Sequence, residues 1–249
     1  MNFEKKVAFV TGAASGIGRA TAIKLAQHGA VVIVTDIDEK QGQETVDMIH
    51  QDGGTAKFFP LDVGNKNAIK ETMLKAIEEY GPIKLAVNNA GIGGVLAPVH
   101  EVKDADWDRM IQINLTSVFQ CMREEIDCML HHGGGNIVNI SSLAGLNGFR
   151  GNAPYSVAKH GVIGLTRSAA QEYATLGIRV NAVCPGFTET AIIHEDMRDF
   201  VNKLTKVRVP MQRTGRPEEV ANTIAWLLSD ESSYVNGTYM EVDGGMQAG

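Results

Sequence analysis

Cysteine is scarce in this chain: Cys121, Cys128 and Cys184 are the only three in 249 residues, an odd and widely spaced set. That excludes a disulfide framework and suits the reduced thiols of a cytoplasmic protein. None has the paired spacing of a zinc site. His131 and His132 near Cys128 read as the exposed end of a helix, so no metal is expected. Apolar runs are short, and none approaches the roughly 18 residues of a membrane helix. The opening Met1-Asn2-Phe3-Glu4-Lys5-Lys6 is too polar to begin a signal peptide. Basic charge is neither abundant nor clustered: 23 Lys and Arg stand against 29 Asp and Glu, for a net charge of −6. A nucleic-acid partner would favour a basic patch, and an acidic balance chiefly favours solubility. The 27 glycines follow no repeat, and no linker or low-complexity segment interrupts the chain.

What is present is a hydrophobic content of 44%, enough for a substantial core in one α/β domain covering residues 1–249. Short β-branched runs at Lys6–Thr11, Val31–Thr35, Ala56–Leu61, Leu85–Asn88, Ile137–Ile140 and Arg179–Val183 read as strands. Amphipathic stretches near 16–28, 39–52, 66–80, 105–131 and 154–175 lie between them, and a helix near 217–228 precedes a last strand near 238–242. Apolar strands alternating with helices predict a parallel sheet covered on both faces. Residues 186–210 do not fit the alternation and read as a lid, the usual role of a long connection beside a site.

The first strand runs into Thr11-Gly12-Ala13-Ala14-Ser15-Gly16-Ile17-Gly18 and then a helix. Glycines let the backbone turn tightly and approach a pyrophosphate, and the helix N-terminus behind them attracts negative charge. Gly12, Ser15, Gly16, Ile17 and Gly18 are therefore candidate dinucleotide contacts. Asp36 ends the second strand, where a carboxylate accepts from both adenosine ribose hydroxyls and repels a 2′-phosphate. Ser15 and Ile37 supply no cation, and Arg19 should point away along its helix, so the expected cofactor is NAD rather than NADP. Asp62 and Val63 follow the third strand, placed to hold the adenine. Asn88-Asn89-Ala90-Gly91 follows the fourth, with small residues to lie against the adenosine and amides to tie strands together.

Tyr155 and Lys159 are four residues apart, on one helical face, and Ser142 lies thirteen residues before the tyrosine. A phenol has a pKa of about 10 and is a poor base near neutrality. A neighbouring ammonium favours phenolate, which brings the group toward proton exchange with an alcohol or ketone. Ser142 can hold the reacting oxygen, and alternation along the strand turns Ser141 to the other side.

Together these ordered motifs resemble the short-chain dehydrogenase/reductase family over nearly the whole chain. The resemblance adds Asn114 in the long helix, Pro185-Gly186-Phe187-Thr188-Glu189-Thr190 as a nicotinamide motif, and Val242-Asp243-Gly244-Gly245 as the closing strand. It implies a Rossmann-like, doubly wound seven-stranded parallel sheet in the order 3-2-1-4-5-6-7. It also implies roles. Tyr155 is the general acid/base, and Lys159 lowers its pKa and binds the nicotinamide ribose. Ser142 binds the substrate oxygen, and Asn114 anchors a water on the proton path. Pro185, Gly186 and Thr188 orient the carboxamide, with Thr190 toward the phosphates. Hydride transfer on the pro-S face is the family habit. Asn114 can alternatively serve a buried backbone group.

Ile92, Gly93, Ala144, Leu146, Phe149, Phe187, Ile192 and Ile193 are candidate lining residues. Of these, Ala144, Phe149, Phe187 and Ile192 join Ser142 and Tyr155 as the expected substrate contacts. The expected reaction interconverts an apolar secondary alcohol, cyclic ones included, and its ketone. One alternative is an NADPH-dependent 3-oxoacyl-carrier-protein reductase, and another is a cofactor-binding scaffold without catalysis. Ile111, Leu115, Val118, Met122, Ile126 and Met129 form a stripe on the long helix. It reads as core and, with the family's habit, as part of a homotetramer interface.

Overall fold

The computed structural model describes residues 1–190 and 198–248. Its strands are β1 (Val7–Thr11), β2 (Val31–Asp36), β3 (Thr55–Pro60), β4 (Ile83–Asn88), β5 (Gly135–Ile140), β6 (Ile178–Pro185) and β7 (Tyr239–Val242). They form one sheet in the order β3-β2-β1-β4-β5-β6-β7, as expected, and every pairing is parallel. The helices are α1 (Gly16–Gln27), α2 (Glu39–Gln51), α3 (Lys66–Tyr80), α4 (Asp104–Ile111), α5 (Ser117–His131), α6 (Ala153–Tyr173), α7 (Arg198–Arg208) and α8 (Pro217–Leu228).

Strand alternation feeds two cores. Ala8, Val10, Val32 and Val34 pack with Ala22 and Leu25 of α1, Val46 and Ile49 of α2, and Val220 and Ile224 of α8. Phe9, Ile33 and Ile137 face the opposite way, against Ile69 and Met73 of α3, Val118, Met122 and Met129 of α5, and Val162 of α6. Both faces of the central strands are thus covered, which explains why β1 is apolar without a polar alternate. Phe9 is fully buried; removing its ring costs about 3–5 kcal/mol.

The sheet order reverses between β1 and β4, so the crevice outside their carboxyl ends is where an open α/β sheet takes a ligand. The first three helix starts differ in capping. Asp38 caps α2 and Asn65 caps α3 through side-chain acceptors, each cap worth about 1 kcal/mol. No side chain caps α1, and its first turn holds no acid. The amides of that turn are left facing the crevice.

Three differences from the sequence reading concern the site. The helical path expected over 105–131 is widened at Gln112–Thr116 into a π turn that contains Asn114. Such a turn breaks the regular bonding ladder and recurs at functional sites. The long-helix stripe goes mostly inward: Val118, Met122, Ile126 and Met129 are core residues, while Trp107, Phe119 and Leu130 keep apolar surface exposed. The connection 186–210 contains α7; Ile192 and Ile193 lie outside the described residues.

Candidate active site

The glycine loop is built for close approach. Gly12 and Gly16 have φ of 64° and 53°, the left-handed region that favours glycine. A Cβ on Gly18 would collide with the carbonyl of Gly12 and stand 2.6 Å from Asn89 Nδ2. Asn89 Nδ2 donates to Thr11 O at 3.0 Å and Gly12 O at 2.9 Å, fastening the loop to the end of β4. Thr11 Oγ1 accepts from the amides of Asn89 and Ala90 at 3.0 and 3.1 Å. Thr11 is therefore part of the framework, a role its position before Gly12 did not disclose. Gly16 faces Thr190, whose Cγ2 would be 3.1 Å from an added Cβ. Thr190 therefore packs directly against the glycine loop.

Asp36 is held as an acceptor. Its Oδ2 accepts from the Ala14 amide and its Oδ1 from the Asp38 amide, both at 3.0 Å. Each oxygen keeps a further lone pair for a hydroxyl donor. Arg19 turns to α2, where Nε donates to Thr45 Oγ1 at 2.9 Å and the guanidinium lies 3.7 Å from Glu44. Its guanidinium is thus engaged by α2, next to the loop, since Thr45 Oγ1 also donates to Ala13 O at 3.0 Å. Asp62 is exposed, with Oδ1 accepting from the Gly64 amide at 2.8 Å, and Val63 is buried. At the far side of the crevice, Gly186 lies flat against Asp243, and a Cβ there would be 2.9 Å from Asp243 Cα. Thr188 is buried and pairs with Gly215 in a short parallel bridge. These features fit a dinucleotide: an uncapped helix start, side-chain-free turns and a carboxylate with spare lone pairs. Gly12, Ser15, Gly16, Ile17 and Gly18 would cradle the phosphates.

Ser142 follows β5, and its Oγ accepts from the Ala144 amide at 3.1 Å. That bond orients the hydroxyl while leaving its proton for another acceptor. Tyr155 and Lys159 stand one turn apart on α6, with Lys159 Nζ 5.7 Å from the centre of the phenol ring. Lys159 is buried and its Nζ donates to Ile140 O at 2.8 Å. Burial pulls the ammonium pKa down to about 8, with no carboxylate to restore it. The phenol is pushed above its usual range by burial, and the Ser142 hydroxyl beside it pulls the other way. Burial is thus the largest single influence on the phenol in this arrangement. Desolvation outweighs a lysine whose amine is turned to the Ile140 carbonyl.

Asn114 is fully buried. Its Oδ1 accepts from Ile92 N and its Nδ2 donates to Ile92 O, both at 2.8 Å. The side chain therefore holds the segment after β4. Gly91 lies between Asn114 and Lys159: a Cβ there would be 2.8 Å from Asn114 Oδ1 and 3.7 Å from Lys159 Nζ. Asn152, overlooked in the sequence, fastens the same segment by donating to Gly93 O at 2.7 Å. Ala144 is buried beside Ser142, Phe187 is partly exposed and Phe149 is exposed. The arrangement can donate two hydrogen bonds to a substrate oxygen, move a proton at the phenol and hold a dinucleotide alongside.

Comparison with known proteins finds relatives that span nearly the whole chain. A family model described as enoyl-(acyl carrier protein) reductase matches residues 12–247. A cyclohexanol dehydrogenase from Acinetobacter sp. is 44% identical, over 97% of this chain and 95% of its own. A 3-oxoacyl-[acyl-carrier-protein] reductase from Thermotoga maritima is 42% identical, over 99% of both chains. Among solved structures, levodione reductase superposes with a TM-score of 0.96 at 33% identity, over 99% of both chains.

Proposed function

The chain belongs to the short-chain dehydrogenase/reductase family of nicotinamide-dependent oxidoreductases acting on CH–OH groups, and on that premise we propose that it moves hydride reversibly between NAD(H) and an apolar, cyclic secondary alcohol or its ketone. The observation that carries the proposal is the meeting of Ser142, Tyr155 and Lys159 at the carboxyl edge of the sheet, beside an uncapped α1. Hydride exchange is supplied by the nicotinamide when bound, and the protein manages orientation and the proton.

In the oxidation direction the Tyr155 phenolate takes the hydroxyl proton of the alcohol. In reduction the Tyr155 phenol returns it to the ketone oxygen. Ser142 donates to that same oxygen, so the carbonyl is polarised by two hydroxyls. Lys159 supplies positive charge near the phenol and a donor for the nicotinamide ribose. Asn114 keeps the π turn and the Ile92 segment in place, and a backbone carbonyl freed by that turn is the natural anchor for a relay water. Pro185, Gly186 and Thr188 orient the carboxamide. Thr190 joins Gly12, Ser15, Gly16, Ile17 and Gly18 at the phosphates. Asp62, Val63, Asn89, Ala90 and Gly91 border the adenosine.

Choice of NAD rests on Asp36, anchored by two backbone amides, and on Arg19 being engaged by α2. A 2′-phosphate would meet a carboxylate there instead of a cation. Choice of a cyclic apolar alcohol is supported by the apolar Ala144 held against Ser142 and by likeness to the Acinetobacter cyclohexanol dehydrogenase. The likeness to the Thermotoga enzyme supports a second reading, a 3-oxoacyl-carrier-protein reductase. Turnover of cyclohexanol, hydroxysteroids and a 3-oxoacyl thioester, each with NAD(H) and NADP(H), separates the two. Activity confined to the thioester with NADPH would overturn the first.

The same reading has the protein cytoplasmic and homotetrameric, with residues 186–210 acting as a lid on the one catalytic domain. Exposed Trp107, Phe119 and Val157 on α4, α5 and α6 support the assembly. Among the described residues no helix is long and apolar enough to cross a membrane. Light scattering at micromolar concentration is expected to give four times the chain mass; a stable monomer would refute the assembly.

A further inference from the structure

We infer that Ser141, a neighbour of the reacting groups and not one of them, is the positioning residue that fixes Lys159 in register with Ser142 and Tyr155. The inference rests on the roles proposed above for those three side chains.

The end of β5 and the residue after it grip Lys159 at two points. The Ile140 carbonyl accepts from Nζ at 2.8 Å, and Ser141 Oγ donates to the Lys159 backbone carbonyl at 2.9 Å. The second bond joins residues 18 apart, so it is no local helix cap; it ties α6 to the sheet. Ser141 and Lys159 are both buried, at 2% and 4% exposure, so water does not compete for either bond. Ser141 is itself pinned to β6 by its amide, which donates to Val183 O at 2.8 Å. Ser142 is the next residue, and Tyr155 is one turn before Lys159 on α6. One hydroxyl therefore sets the height and rotation of the helix carrying the phenol and ammonium relative to the strand end carrying the substrate-oxygen donor.

The joint has no slack on its other sides. The turn after Ser142 lies against it at Gly145, where a Cβ would be 2.7 Å from Lys159 O and inside contact distance of Ser141 Oγ. The buried Cys184 thiol on β6 adjoins Ser141 and the Ser142 amide, and burial keeps it protonated, with a pKa of about 11. A protonated thiol can donate to Ser141 Oγ, completing the hydroxyl's bonding. Lys159 O belongs to a helix, so losing the Ser141 bond does not orphan a buried carbonyl. The fold is expected to survive what the register does not.

The test compares wild type with Ser141→Ala and Ser141→Cys, using cyclohexanol or another alcohol that wild type oxidises. Ser141→Ala is expected to lower kcat by about tenfold to a hundredfold, since small misplacements of reacting groups carry losses of that size. KM for the alcohol should change by less than about threefold, because Ser142 and the pocket remain. The limb of the kcat/KM profile that reports phenolate should move up by about half a pH unit as the ammonium drifts from the phenol. Ser141→Cys keeps a small, weaker donor and should fall between the two. A wild-type kcat and an unmoved limb in either variant, whatever happens to its Tm, would overturn the inference. So would a loss of kcat in Ser141→Ala that leaves the limb where it was. Tyr155→Phe runs alongside: if it stays active, the reading of the site fails first, and the role of Ser141 with it.

Discussion

Lys159 and Glu125 are two fully buried ionisable side chains whose pKa values arrive at about 8 from opposite directions. Desolvation drives both, and neither has a counter-ion among the described residues. They differ in what lies next to them. Lys159 stands at the carboxyl edge of the sheet, next to Tyr155 and Gly91. Glu125 lies deeper, under β4, where Asn88 Nδ2 donates to its Oε2 at 3.0 Å and its Oε1 has no partner. Asn88 also donates to Asn139 Oδ1, and Asn139 to Thr166 Oγ1, so the carboxyl ends a closed chain of amides and hydroxyls. The lesson is that an unusual pKa alone does not mark a catalytic group. Its place at the crevice beside Tyr155 is what distinguishes the lysine.

Substitutions sharpen that contrast. Lys159→Met is expected to lower kcat by about a thousandfold and to raise KM for the cofactor, because it removes both the charge beside the phenol and the ribose donor. Glu125→Gln should leave kcat within about twofold of wild type. Equal losses from the two would break the distinction. Asp36→Ala is expected to shift the NAD-to-NADP ratio of kcat/KM by about tenfold or more toward NADP, as the repelling carboxylate goes. A wild type that already prefers NADPH would contradict the role of Asp36.

The buried pair also gives a pH signature. The folded state holds the Glu125 proton up to about pH 8, whereas an unfolded carboxyl releases it near its ordinary 4.5. Stability from this group is full below that ordinary value and falls as pH rises through the window to about 8. Lys159 works in the opposite sense. Its folded pKa of about 8 lies below the ordinary 10.5, so its burial penalty is full below about 8 and relaxes as pH climbs to 10.5. Glu125→Gln should therefore flatten the acid-side slope. Relative to wild type, its Tm should gain at least about 5 °C between pH 5 and pH 8.5. Parallel Tm curves for the two proteins would show that Glu125 is ionised in the native state.

Much of this was legible in the sequence because each motif closes a strand. Gly12 to Gly18, Asn89 and Ser142 follow β1, β4 and β5, Asp36 ends β2, and a parallel sheet brings those ends to one edge. The pieces that were not legible depend on packing between distant segments. The π turn leaves no mark in side-chain periodicity, so Asn114 read as a mid-helix polar residue and its bond to Ile92 was invisible. Thr11, Asn152 and Ser141 act through backbone groups 78, 59 and 18 residues away. No spacing rule announces such bonds. Glu125 did have a signal: it shares a helical face with Val118, Met122 and Met129. The neighbouring Glu124 instead pairs with Arg123 near the surface.

The most direct measurement is turnover and NADH binding by Tyr155→Phe on the alcohol best used by wild type. Loss of nearly all turnover, about a thousandfold or more, with NADH affinity within a few-fold of wild type, is the expected result. Turnover close to wild type in that variant would contradict proton transfer at Tyr155 and the account built on it.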